Sequence, residues 1–498
     1  MTEQIQILAA PSLSDAALRD LPSGVKIPTY DRSKLTPGIV HIGLGNFHRA
    51  HQAWYLHRLM QQGQAHDWAI VGAGVREFDE SQRLKLAAQD FLTTLIELSP
   101  GGRAVEVVGS MIDYVPIEAD NGALIAQMAQ PEIRIVALTI TEGGYYIDPV
   151  NKSFDLSHPD IVYDATHPEA PKTAFGAIVA ALRLRRDSGL GPFTCQSCDN
   201  LQGNGAILRQ VIVALAGLSD PELSEWIVDN CSFPNSMVDC IVPATNAKEC
   251  ALVNDLGVSD AVPVTHEDFR QWVIEDDFCA GRPDWNLAGA IFTNKVHDFE
   301  MMKIRILNGG HQVVAVPGEV LSVETIEQCM KHSLLGPLFQ KVILREVAPH
   351  VKAVPGLTPK NYVDLVYKRF SNPKIIDTTR RVAFDGSSRH PGFLMPSIRD
   401  GLANGTPIDG LALIEASWAR MCEGTREDGT VIAPNDPFWN ELQAKAKAAR
   451  NTPSIWLEMN QIYGSLGSEP RFTDSFEFWF DIIWNQGLEK AIEIYLEV

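Results

Sequence analysis

Residues 38–60, GIVHIGLGNFHRAHQAWYLHRLM, read in one run as strand, turn and helix. Ile39 to Ile42 form a short β-rich stretch, Gly43-Leu44-Gly45 interrupts it, and Phe47, Ala50, Trp54, Leu56 and Met60 then recur at three- and four-residue steps, which predicts a helix over 47–62. GLGNFH is a Gly-x-Gly in which His48 stands where a dinucleotide fingerprint has its third glycine. Two glycines suffice for a tight turn and for close approach of a pyrophosphate to backbone N–H groups at a helix N-terminus. Alone the motif is a weak signal, since a glycine turn joins strand to helix in many α/β proteins. Its place in the first strand-helix unit strengthens the nucleotide reading and nominates Ile42, Gly43, Leu44, Gly45, Asn46, Phe47, His48 and Arg49 as cofactor-binding residues.

A second strand, Trp68 to Val71, runs into Gly72-Ala73-Gly74 and then Asp79, with Glu77 as the alternative acid. A carboxylate there accepts hydrogen bonds from the adenosine ribose and repels a 2′-phosphate, so NAD is expected over NADP. The distance from Gly43 exceeds the usual spacing of about 20 residues, and Arg76 and Arg83 keep NADP open. Further β-like runs at 91–98, 133–140 and 192–197, with a helical stretch at 174–186, predict a parallel α/β sheet; 133–140 is apolar at nearly every position, as a strand buried on both faces should be. Beyond about residue 295, the stretches 300–321, 323–349, 409–423 and 436–449 have helical spacing. The expected organisation is therefore α/β: a Rossmann-type dinucleotide-binding domain over 1–294, whose residues 1–37 are a loosely packed lead-in, and a mainly α-helical substrate and catalytic domain over 295–498.

Composition narrows the class of partner. Over 498 residues, 42 Lys and Arg stand against 62 Asp and Glu, a net charge of −20 that repels nucleic acid and anionic membranes. With 45% hydrophobic and 21% charged residues, the chain can fill cores and is not of disordered composition. No apolar run approaches the roughly 18–20 residues needed to cross a bilayer. Its first residues lack a basic then apolar leader pattern, and eight unevenly spaced cysteines read as reduced thiols, so a cytoplasmic location is expected.

A further polar constellation is EMMKIRILNGGHQ, residues 300–312. On a regular helix at about 100° per residue, Lys303, Glu300, His311 and Asn308 project at about 0°, 60°, 80° and 140°, so four polar groups share one side. Met301, Ile304 and Ile306 occupy the other side. Gly309 and Gly310 each cost a helix roughly 1 kcal/mol relative to alanine, which suggests that something approaches the backbone closely there. A capped surface helix is the alternative reading of these residues. Hydride transfer from an alcohol needs a base for the hydroxyl proton and donors for the oxygen. Lys303 can be that base if burial lowers its pKa towards neutrality, Asn308 can donate to the oxygen, and His311 can hold a neighbouring hydroxyl. Competing motifs are weaker. Tyr30-x3-Lys34 precedes the glycine turn, where a short-chain dehydrogenase pair would follow it. Cys195-x2-Cys198 has no second cysteine pair, and His266-Glu267 has no second histidine four residues on, so no metal is expected.

GLGNFHRAHQAWY, LTITEGGYY, SCDNLQGNG, FPNSMVD, KIRILNGGH and DGSSRHPGF occur in an order similar to that of the polyol-specific long-chain dehydrogenases, over about residues 38–490. The resemblance implies a Rossmann-type N-terminal domain, a helical C-terminal domain, an active site in the cleft between them and no metal. By motif, Lys303 would be the general base. Asn200 and Asn308 would bind the reacting oxygen, His311 would orient substrate, and Glu300 would help control proton exchange. Asp239, Arg381 and Arg389 would contact the other hydroxyls, although the position of Arg389 is often lysine in the family. The expected reaction is NAD-dependent oxidation of mannitol to fructose at C2. Alternatives within the family are reductases of fructuronate or tagaturonate, whose carboxylate Arg381 and Arg389 could bind, and dehydrogenases of other hexitols or pentitols. A non-catalytic NAD-binding regulator would not need the Lys, Asn and His spacing. The family has monomeric members, so a monomer is among the expected states.

Overall fold

In the computed structural model, which describes residues 12–147 and 153–497, the chain divides into two compact units, Met1–His297 and Asp298–Val498. Residues 1–11 of the expected lead-in lie outside the described residues.

The first unit is built on five parallel strands: β1 (Pro37–Ile42), β2 (Ala69–Ala73), β3 (Met111–Tyr114), β4 (Ile135–Leu138) and β5 (Thr194–Ser197). Their order in the sheet is β3-β2-β1-β4-β5, every neighbouring pair parallel. Both faces are covered, which explains the unbroken apolar runs. Val40, Ile42, Val136 and Leu138 pack with helices α4 (Ala174–Asp187) and α5 (Asn204–Ser219), while Ile39, Ile70, Ile135 and Ala137 pack on the opposite side with Leu56, Leu59 and Met60. A one-residue slip would exchange these two faces, so the register is specified twice over. The predicted helix after the glycine turn is two, α1 (Asn46–Ala50) and α2 (Gln52–Gln61), broken at His51, whose φ of −121° and ψ of −94° are not helical. Helix α3 (Asp79–Ala87) follows β2.

The run expected at 91–98 is a strand, Thr93–Ser99, but it lies in a different sheet. Pro100 and Gly101 turn the chain back, so that Gly102–Val108 pairs antiparallel with it. Val264–Glu267 and Val25–Lys26 complete this mixed sheet. The described part of the lead-in is packed: Leu13, Leu18, Leu21 and Val25 are buried against Ile96, Val105, Val107 and Val258. A third sheet joins Ser236–Asp239, Gln271–Ile274 and Ile291–Phe292.

The second unit is helical. Helix α6 (Val296–Met302) continues through a π-helical segment, Lys303–Asn308, into α7 (Gly309–Val320). Helix α8 (Leu335–Val342) runs into a second π-helical turn, Ile343–Val347, whose buried Glu346 accepts from the Gly410 and Leu411 N–H groups at 2.8 and 2.9 Å. These amides open the central helix α9 (Asp409–Cys422), which packs against α7 and α10 (Pro470–Gln486). A carboxylate at a helix start satisfies orphan donors and favours the helix dipole.

Candidate active site

At the carboxyl ends of β1, β2 and β4 lies a cavity of about 720 Å³, lined among others by Ile42, Gly43, Leu44, Gly45, Asn46, Arg49, Asp79, Thr139, Thr141 and Tyr146. That is where the strand order reverses, the usual ligand crevice of open α/β sheets, and the volume is that of a small-molecule or cofactor site. The glycines have different reasons. Gly43 has φ +92°, and a Cβ there would sit 2.1 Å from the Thr139 carbonyl oxygen, so only glycine fits the fold. A Cβ on Gly45 would meet nothing within 4 Å. Its absence leaves room in the cavity rather than in the core, which is what a bound pyrophosphate needs.

Phe47 and His48, expected to contact cofactor, do not line this cavity. Phe47 stacks on His51, ring centroids 4.8 Å apart. His48 is 1% exposed and lies 3.5 Å, centroid to centroid, from His41 of β1. It takes the helix-to-strand packing position that a third glycine serves by being small. Burial holds both rings neutral, His41 at about 3 and His48 well below its usual value. Arg49 does line the cavity, but its buried guanidinium bonds to the carbonyls of Val262 and Gly45 and to Asn46 Oδ1.

Asp79 reaches the cavity at the start of α3, where its Oδ2 accepts from the N–H groups of Val75 and Arg76 at 3.2 and 3.1 Å. Glu77 is exposed and does not line it. Arg83 is held by Glu80 through two bonds of 2.8 and 2.6 Å, so of the two arginines that kept NADP open only Arg76 lines the cavity. Asn200 follows β5 and is exposed, and Asp239, ending its strand, is buried. Cys195 and Cys198 are buried thiols, and among the described residues no group of three His, Cys, Asp or Glu is placed to hold a metal ion.

In the second unit, Lys303 and Asn308 are the first and last residues of the π-helical segment, each 9% exposed, and Glu300 is 5% exposed. The angles expected from a 100° step do not apply across it, because i→i+5 bonding widens the turn. Gly310 is explained by packing: a Cβ would lie 2.6 Å from the Phe339 ring of α8. Gly309 faces the Phe393 carbonyl oxygen, 3.3 Å from where its Cβ would be, so the helix Gly386–Phe393 that carries Arg389 lies against this segment. The close approach inferred from the glycine pair is thus made by the chain itself. The His311 ring stacks on Phe370 at 4.0 Å and 10°. Burial lowers its pKa to about 4; Asp377 opposes, and Arg381, Arg369 and Arg389 push it further down. Arg381 is clamped by both oxygens of Asp377. Asp377 and Arg369 were not expected from sequence, and no motif marks them.

Two family profiles divide the chain much as the fold does, the mannitol dehydrogenase Rossmann domain over residues 37–287 and the mannitol dehydrogenase C-terminal domain over 295–484. The chain belongs to the mannitol dehydrogenase family. Among its relatives is a mannitol 2-dehydrogenase of Cereibacter sphaeroides, 52% identical over 94% of this chain and 98% of the relative. One from Aspergillus clavatus is 39% identical over 95% and 96%. The ternary complex of Pseudomonas fluorescens mannitol 2-dehydrogenase with NAD and D-mannitol superimposes with a TM-score of 0.88 at 39% identity, covering 98% of this chain and 100% of that one. A substrate-free D-sorbitol dehydrogenase gives 0.89 at 36%, covering 96% and 100%. Membership of the mannitol dehydrogenase family gives the fold its expected use, with the nucleotide end of the Rossmann sheet in the first unit and the Lys303–His311 segment in the second.

Proposed function

We propose that this chain is an NAD-dependent mannitol 2-dehydrogenase that interconverts D-mannitol and D-fructose at C2 without a metal. What carries the reading is its likeness, over nearly the full chain, to enzymes of that name, one of them in complex with NAD and D-mannitol. The cavity at the strand-order reversal supports the cofactor: the Gly43–Asn46 turn receives the pyrophosphate and Asp79 the ribose. When bound, NAD supplies the hydride acceptor. Lys303 takes the proton of the C2 hydroxyl as the C2–H bond gives up its electron pair, and the side-chain amides of Asn200 and Asn308 donate to the oxygen as it gains negative charge. His311, neutral at working pH, orients a neighbouring hydroxyl, and Glu300 assists proton exchange from Lys303. Asp239, Arg381 and Arg389 contact the remaining hydroxyls. A lysine base with amide donors covers both requirements of alcohol oxidation, which supports the metal-free form. Fructose reduction runs the same steps in reverse.

A second reading, reduction of a hexuronate, draws on the guanidinium groups of Arg381, Arg369 and Arg389 around His311. Absorbance at 340 nm separates the two, read as formation of reduced cofactor from NAD or NADP with mannitol, sorbitol or arabinitol, and as its consumption from NADH or NADPH with fructuronate. The expected result is NADH formation with mannitol, lowered by orders of magnitude in Lys303→Ala while NAD binding persists. Near-normal turnover in that variant removes Lys303 from the mechanism, and preference for fructuronate removes the polyol reading.

A further inference from the structure

Two segments have so far had no part in the chemistry: LTITEGGYY, residues 138–146, and the aspartate of Ser197-Cys198-Asp199-Asn200. They meet on one buried carboxylate. Asp199, 6% exposed, accepts from the Thr141 N–H through Oδ1 at 2.8 Å and from the Ile140 N–H and the Tyr145 hydroxyl through Oδ2 at 3.1 and 2.8 Å. The backbone so held is unusual. Thr141 has φ 67° and ψ 160°, a region that glycine alone adopts readily, and it costs another residue roughly a five- to 150-fold bias against the conformation. Tyr146, at the end of the same turn, also has a positive φ of 53°. The held stretch is a wall of the dinucleotide cavity, which Thr139, Ile140, Thr141, Gly144 and Tyr146 all line. It is also tied to the glycine turn, since the Thr139 hydroxyl donates to the Gly43 carbonyl at 2.5 Å. Asp199 is itself fixed from behind, its carbonyl accepting from Asn204 Nδ2 at 3.0 Å.

We propose that Asp199 is a positioning residue for the dinucleotide site, its carboxylate holding Thr141 in a strained backbone conformation that gives the 139–146 wall its shape. The inference rests on the reading that this cavity takes NAD. Strain persists only where surrounding bonds over-determine it, and here three donors converge on two oxygens. An amide in place of the carboxylate would turn an N–H group towards one of those donors, leaving two donors face to face.

The hold is also tuned to acidity. Burial raises the Asp199 carboxyl to about 6, against the Tyr145 hydroxyl and the Ile140 and Thr141 amides that lower it, with Glu142 adding to the rise. The other titratable neighbours, Tyr145 and Cys198, are both pushed up by burial and remain neutral in this range. Protonation of Asp199 replaces charge-assisted bonds with weaker neutral ones.

The test is a double-substitution cycle read by NAD binding, measured by fluorescence titration on the full chain between pH 5 and 7.5. Asp199→Asn is expected to weaken NAD binding by five- to 150-fold in the wild-type background, and by less than threefold in a Thr141→Gly background, where the backbone needs no holding. Equal losses in the two backgrounds overturn the proposal. Should Asp199→Asn not give a cooperative melt, the pH profile carries the test. NAD affinity is expected to fall below about pH 6 in the wild type and to stay flat in Thr141→Gly; the same profile in both overturns it. If the wild-type chain binds no NAD at any pH, the functional reading fails, and hydrogen exchange then tests the hold separately. Faster exchange at the Ile140 and Thr141 amides in Asp199→Asn supports it, and unchanged exchange refutes it.

Discussion

The two oxygens of Asp79 have different surroundings. Oδ2 accepts from the Val75 and Arg76 N–H groups, which fixes the turn after β2, and the side chain borders the cavity. A ribose needs an acceptor there, whereas a 2′-phosphate meets a carboxylate with Arg76 alongside. Replacing the charge should therefore act on cofactor choice more than on chemistry. Asp79→Ser, which keeps an acceptor for the turn, is expected to lower kcat/KM for NAD by about tenfold, roughly 1.4 kcal/mol, and to raise it for NADP. Steady-state kinetics with both cofactors checks this. An unchanged ratio of the two would remove Asp79 from cofactor selection. This acid was legible from the strand and glycine pattern before it, but the engagement of Arg83 by Glu80 was not, because both signs of charge occur along 76–85 and only geometry pairs them. The packing role of His48 is hidden in the sequence for a related reason. The fingerprint marks where a third glycine would allow close helix packing, and a ring tilted against His41 fills that position without lining the cavity.

Secondary-structure elements are hidden in the sequence where their periodicity is irregular. Strands β1, β2, β4 and β5 were visible because both their faces are buried. Gly102–Val108 was not, because Arg103 and Glu106 interrupt its apolar residues and its first three positions are exposed. The segment Lys303–Asn308 was recognised as helical and polar, but its π-helical bonding was invisible, since nothing local distinguishes it from an ordinary turn. What the glycine pair at 309–310 reports is the neighbour. At Gly310 a methyl group would enter the Phe339 ring at 2.6 Å, and Phe339 is fully buried, so it has little room to give. Gly310→Ala gains helix propensity of roughly 1 kcal/mol but overpacks the α7–α8 contact, at about 1–3 kcal/mol. The expected net effect is a loss of up to about 2 kcal/mol in urea denaturation, with a larger loss of turnover if the π-helical segment moves. Stabilisation by the full propensity gain would show that the ring yields easily.

For the whole molecule, the acidic surplus of 20 charges is less informative about pH than a few buried histidines are. His41 and His266 are held by burial at about 3, His311 at about 4, and His48 lower than its ordinary value. In each case the folded pKa lies below the unfolded one, so the unfolded chain takes up protons from about pH 6.5 while the folded chain does not. Stability is therefore complete above that value and falls as pH drops towards 4, by up to about 2 kcal/mol per histidine at pH 5. Asp199 has the opposite sign. Its folded pKa, about 6, is above the ordinary value, so acidification from pH 7.5 to 5 favours folding by about 1.4 kcal/mol. The histidines outweigh it. Three of the four, His41, His48 and His266, belong to the first unit, Met1–His297, and one to the second. Calorimetric scans at pH 7.5, 6 and 5 are thus expected to show the melting midpoint falling as the pH is lowered. A midpoint that is unchanged or rises on acidification would mean that these rings are protonated in the folded chain and that their burial does not hold them neutral.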